Sequence, residues 1–93
     1  MIRSFKSSAV EAIAAGKAPK GFPASLLRAT RQKLYYLAAA KELSDLRVPP
    51  GNRLEALKGN RRGQHSIRIN DQFRICFVWK NDGAENVEIV DYH

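Results

Sequence analysis

The chain has 93 residues, 44% of them hydrophobic and eight aromatic, enough for one domain with a single two-layer core and too apolar for a disordered segment. Sixteen Lys and Arg stand against nine Asp and Glu, so the formal charge of +7 points to a phosphate-bearing partner. The single Cys76 excludes an internal disulfide and a cysteine zinc site, and no apolar run reaches signal or transmembrane length, which leads to the expectation of a cytoplasmic protein with no membrane association.

The charge is uneven along the chain. Residues 1–46 carry eight basic and three acidic side chains, and residues 47–74 carry seven and two. Residues 75–93 reverse the sign, with Lys80 alone against Asp82, Glu85, Glu88 and Asp91. A basic body beside an acidic terminal strand fits a protein that binds phosphates and draws acid/base groups from that strand.

In chain order, Met1 to Phe5 is a short edge-strand candidate. Ser8-Ala9-Val10-Glu11 has capping-box spacing and opens a short helix that Gly16 ends. A basic loop over residues 17–22 leads to Pro23 or Ser25, the start of a longer helix to about Lys41. Leu27, Thr30, Leu34, Leu37 and Ala38 form its apolar stripe, with Arg28, Arg31 and Lys33 off it. Glu42 to Leu46 offers one further turn. Arg47 to Asn52, with Pro49 and Pro50, suits neither a helix nor a central strand and is read as the crossing between layers.

Beyond it the pattern is β: Leu54 to Lys58, His65 to Ile69, Phe73 to Lys80 and Glu85 to Asp91. Basic Gly59 to Gly63 and the turn Asn81-Asp82-Gly83 punctuate these strands. Two N-terminal helices packed on a small antiparallel sheet make an α+β fold in one domain over residues 1–93. The hairpin register is legible too. A three-residue loop over Asn70 to Gln72 sets Ile69 against Phe73, Ile67 against Ile75 and His65 against Phe77, gathering the apolar residues on one face. The same register places Arg68 opposite Arg74, two cations that repel unless an anion lies between them, and so a candidate phosphate clamp.

Metal-free RNA cleavage needs a base for the 2′-hydroxyl, cations for the charged phosphorane and an acid for the departing 5′-oxygen. Glu55 or Asp91 suits the base, Lys58, Arg68 and Arg74 the cations, and His93 the acid. Asp91 and His93 share a strand face by alternation, and a free α-carboxylate on His93 favours its protonated form. Arg61 and Arg62, in a Gly-flanked turn, are placed to follow an RNA backbone or simply to be solvated. Tyr92 is placed either to pack at the sheet edge or to stack on a base. Glu55 has the alternative of pairing with Arg53 or Lys58. His65 and Cys76 read as a satisfied structural histidine and a buried structural thiol. No metal-ligand spacing, Gly-rich nucleotide loop or serine triad occurs, so neither metal nor cofactor is expected.

Pro49-Pro50-Gly51-Asn52-Arg53-Leu54-Glu55-Ala56-Leu57 resembles the HigB toxins, a branch of the RelE/ParE superfamily. So do Met1 to Phe5, Gly63, Ser66 to Asn70, Phe73-Arg74-Ile75 and the closing Val87 to His93, in that order over nearly the whole chain. The resemblance implies a fold like that of small microbial ribonucleases and the toxin role of a type II toxin–antitoxin pair. It further implies ribosome-dependent cleavage of mRNA in the 30S A site, and neutralisation by a HigA-type antitoxin with a helix-turn-helix domain. Family roles carry to Lys58, Arg74, Asp91, Tyr92 and His93. Glu55 departs from the pattern, because members often have His in that segment; a carboxylate can take a proton but cannot serve as a phosphate-binding cation, which implies weaker activity. Two other functions are open to the same chain: a ParE-like gyrase inhibitor, and a non-catalytic nucleic-acid-binding module.

Overall fold

The computed structural model describes residues 1–91. Two helices lie against one face of a four-stranded antiparallel sheet in the order β1-β2-β3-β4, the expected α+β arrangement.

Helix α1 (Ser8–Ala14) is capped by Ser7, one residue before the expected Ser8. Ser7 is extended and its hydroxyl accepts from the Val10 amide at 3.4 Å, whereas Ser8 is already helical. Gly16 (φ +88°) ends the helix with the Lys17 amide on the Ala12 carbonyl (2.9 Å) and its own amide on Ile13 (3.0 Å), a Schellman closure that needs the left-handed residue. Helix α2 (Ala24–Ala39) buries Thr30, Leu34 and Leu37 and half-buries Leu27. It stops short of Lys41 because Ala40 turns to an extended conformation, and Ala40 enters the core in place of Ala38. Ala38 is exposed, on the rim of an apolar groove between the helices that Ile2, Ile13 and Leu34 also line.

Beyond α2, a 3-10 turn over Leu43–Arg47 buries Leu46. The Asp45 carboxylate accepts from the Lys41 and Glu42 amides at 2.9 and 3.0 Å, and those amides, Glu42 first, hold its pKa below the ordinary 3.8. A carboxyl with a depressed folded-state pKa contributes stability above its unfolded value and loses that contribution as pH falls through the folded one. Asp45→Asn is therefore expected to flatten the stability profile below about pH 4, followed by urea unfolding from pH 2 to 6.

A second 3-10 turn, Pro50–Asn52, ends on Arg53 in the left-handed conformation (φ 44°, ψ 59°). That residue before it, and Lys58 capping the 3-10 turn Gly59–Arg61 after it, cut strand β1 to Glu55–Ala56 instead of Leu54 to Lys58. Strands β2 (His65–Arg68) and β3 (Phe73–Lys80) pair in the register read from sequence: His65 with Phe77, Ile67 with Ile75, Arg68 with Arg74. Asn70 closes the hairpin, its side-chain oxygen accepting from the amides of Gln72 (2.9 Å) and Phe73 (2.7 Å). Removing it in Asn70→Ala should cost about 1–2 kcal/mol, read as a lower urea midpoint at unchanged m.

Strand β4 (Gly83–Asp91) starts two residues earlier than expected, and a bulge interrupts its pairing with β3 between Cys76 and Val78. Asn86, in the left-handed region (φ 54°), takes up the extra residue. The bulge resets alternation, so Ala84 and Val87, of opposite parity, both reach the core and are fully buried. The N-terminal segment is less than a strand. Two parallel bridges, Ile2 to Ala84 and Phe5 to Val87, lay it along the outer edge of β4. Gly83 permits this, since a Cβ there would lie 2.9 Å from Arg3 Cγ and 3.0 Å from the Met1 carbonyl oxygen.

The core joins Val10, Ile13, Leu34, Leu37 and Leu46 to Ile67, Ile75, Phe77 and Val87 of the sheet. His65 stacks on Phe77, with ring centroids 6.4 Å apart, but its buried Nδ1 has no hydrogen-bond partner among the described residues. The histidine is structural, as expected, yet not satisfied.

Candidate functional site

Strand alternation divides the sheet by chemistry. Ile67, Ile75, Phe77 and Ile89 face the helices, and the even-numbered residues of β2 and β3 face away. Across that outer face the register draws one row, Glu55–Ser66–Cys76–Glu88, and a second, Arg68–Arg74–Val90.

Arg74 bridges the two rows. Its Nε donates to Ser66 Oγ at 2.7 Å, and its Nη2 donates to the Arg53 carbonyl (2.5 Å) and more weakly to the Ser66 carbonyl (3.4 Å). One side of the guanidinium fork is thus fixed to the protein, and its Nη1 has no hydrogen bond among the described residues. Ser66 is fully buried, so the anchor is rigid. Glu55 lies beside it on β1, exposed and in no ion pair among the described residues. The alternative pairing of Glu55 with Arg53 or Lys58 is therefore not formed.

Arg53, Arg68 and Arg74, with Asn70 and Asp71, line an open cleft of about 350 Å³. Three guanidinium groups against one carboxylate make it an anion site. Arg68 donates to Asp71, whose side chain is 99% exposed, so this ion pair is water-screened and weak. Behind the cleft, Lys33 of α2 donates to Asn52 Oδ1 at 2.7 Å, its ammonium 5.6 Å from the centre of the Tyr36 ring. Burial, and then the nearby Arg68 charge, push the Lys33 pKa down. Asn52 is fully buried, and its Nδ2 donates to the carbonyls of Leu46 (3.1 Å) and Val48 (3.4 Å).

The other residues singled out by sequence lie around this centre. Lys58 is exposed where β1 gives way to the Gly59–Arg61 turn, and Arg62 is exposed just after that turn. Arg61 is engaged, donating to Gln64 and to Glu88, both at 3.1 Å, and Lys6 also reaches Glu88 at 3.5 Å. Asp91 pairs in register with Phe73 and accepts from Gln72 Nε2 at 3.1 Å. Its parity is that of Ile89, so it sits at the end of the sheet next to Arg74 but on the opposite pleat. Tyr92 and His93 lie outside the described residues. Cys76 is fully buried in the first row, and burial raises its thiol pKa, as suits a structural cysteine.

Glu55, Arg68 and Arg74 were legible from type and register. Ser66, the Arg53 carbonyl and the Lys33–Asn52 pair were not. Alternation from Arg68 would have put Ser66 on the charged face. Nothing local signals that Asn52 faces inward, because that depends on how the Pro-rich crossing folds back on α2.

The chain is thus a small α+β domain with an arginine-lined cleft on the face of its sheet away from the helices. A family model described as "RelE-like toxin of type II toxin-antitoxin system HigB" matches residues 4–93. The chain is 50% identical over 64 residues to Toxin HigB-1 of Vibrio cholerae serotype O1, covering 69% of this chain and 67% of that protein. It is 30% identical to Endoribonuclease HigB of Proteus vulgaris over 93 residues, the full length of both. The chain belongs to the HigB-like family of RelE-like toxins of type II toxin–antitoxin systems.

Proposed function

We propose that this toxin is a metal-independent endoribonuclease that cuts mRNA in the ribosomal A site and is neutralised by a HigA-type antitoxin. The observation that carries the reading is Arg74, held on one side by Ser66 and Arg53 with a free edge in an arginine cleft and Glu55 alongside. The name Endoribonuclease HigB, borne by a relative aligned end to end, supports it.

In the proposed reaction a base, Glu55, removes the 2′-hydroxyl proton. The 2′-oxygen attacks phosphorus and the bond to the 5′-oxygen breaks, leaving a 2′,3′-cyclic phosphate and a 5′-hydroxyl. Arg74, with Lys58, balances the extra negative charge of the phosphorane, while Arg68 and Arg62 hold flanking phosphates. His93 is the acid that protonates the 5′-oxygen, and Tyr92 stacks on the neighbouring base. The ribosome contributes by fixing the message, which lets a small acid/base set suffice.

Mapping mRNA 5′ ends after induction in cells lacking antitoxin tests the reading. In-frame cuts at A-site codons are expected. DNA breaks without mRNA cuts would point to gyrase inhibition, and growth arrest with intact message to a binding module. His93→Ala should relieve growth inhibition by at least about tenfold in plating efficiency with the fold retained, since a missing general acid costs about 10²–10⁴ in rate.

A further inference from the structure

The crossing between α2 and the sheet contains a connected set of polar groups to which no role has been given. Lys33 donates to Asn52, Asn52 donates to the carbonyls of Leu46 and Val48, and the next residue, Arg53, offers its carbonyl to Arg74. Every polar group of the Asn52 amide is used, and the residue is fully buried. An L-residue such as Arg53 is held left-handed only when its surroundings over-determine it. Asn52, bonded on both sides immediately before it, supplies such a constraint. If the turn relaxed, the Arg53 carbonyl would swing away and Arg74 would keep only its Ser66 contacts.

We propose that Lys33 and Asn52 are positioning residues for Arg74, clamping the Arg53 turn so that its carbonyl oxygen aims the guanidinium into the arginine cleft. The inference rests on the reading of Arg74 as the phosphate-stabilising cation. It explains why a lysine is placed in a half-buried position beside Arg68, where its charge is disfavoured. Asn52 Oδ1 and the Tyr36 ring face give that ammonium its compensation.

The test uses the full chain with programmed ribosomes, comparing Lys33→Met, Lys33→Gln, Asn52→Asp and Arg74→Ala. Lys33→Met keeps the apolar stem but removes the donor, and Lys33→Gln restores a donor without charge. For Lys33→Met a fall of about tenfold in kcat is expected at unchanged KM, with partial recovery in Lys33→Gln. Asn52→Asp removes the two bonds that pin the crossing and should lower kcat at least as far. In the free protein the Arg74 Nη resonances should shift in both variants, since Nη2 carries the bond to the Arg53 carbonyl, while the Ile67 and Ile75 amides stay put.

Non-additivity gives the second readout: placed on Arg74→Ala, Lys33→Met should change the residual rate by less than about twofold. If Arg74→Ala cleaves like the wild type, the active-site reading fails. If Arg74→Ala is inactive while Lys33→Met and Asn52→Asp keep full kcat and an unmoved Arg74 signal, the positioning role alone is overturned. A loss in KM only, or equal losses with and without Arg74, overturns it as well.

Discussion

Arg74→Ala should lower the rate of message cleavage on programmed ribosomes by about 10²–10³-fold and abolish growth inhibition in cells without antitoxin. Two things are lost together. The free edge of the guanidinium no longer meets the developing phosphorane charge, and the cleft keeps Arg53 and Arg68 without the one cation anchored to the sheet. Arg74→Lys should recover little. An ammonium is a point charge that cannot span Ser66 Oγ and the Arg53 carbonyl while still presenting a donor outward. The variant should remain folded, because losing the bond to buried Ser66 costs about 1–3 kcal/mol, within the usual stability of such a domain. Single-turnover cleavage with a parallel thermal melt checks both halves, and near-native rates in a folded Arg74→Ala protein would remove the basis of the proposed chemistry.

The second large effect concerns the scaffold. Phe77 is fully buried, stacked on His65 and placed opposite the β4 bulge where sheet and helices meet. Truncation in Phe77→Ala leaves a cavity that the surrounding strands cannot collapse into, at a cost of about 3–5 kcal/mol. In a chain of this length that corresponds to a melting temperature lower by more than about 12 °C. A urea titration gives the free energy directly, and a loss below about 1 kcal/mol would mean that this part of the core is loosely packed.

The sequence made the β2–β3 hairpin readable because apolar pairing and side-chain alternation have one joint solution. Sliding the register by one residue would have put Arg74 under the helices. Hence Arg68 facing Arg74 follows from the apolar pairing alone. The errors fall where several weak signals compete. Ser7 and Ser8 are equally good cap residues, and only the geometry of the entering chain chose Ser7. Ala38 and Ala40 are indistinguishable by hydropathy, and the unwinding at Ala40 decided which one is buried. Asp91, offered as an alternative base, pairs with Phe73 and so lies on the pleat opposite Arg74. The anchoring of Arg74 was hidden for a different reason, since it uses a backbone carbonyl whose position depends on a fold-back across nineteen residues from Lys33 to Asn52.

Asn86 is the single inserted residue that lets Ala84 and Val87 both point inward. Pulled into regular pleating with no residue removed, it would invert the first part of the terminal strand, driving the carboxylate of Glu85 beneath the helices and expelling the Ala84 methyl into water. Excision of the same residue would leave both faces as they are, because Glu85 would then precede Val87 directly and Ala84 would still point inward; the kink at Asn86 is what keeps a strand one residue too long right side out.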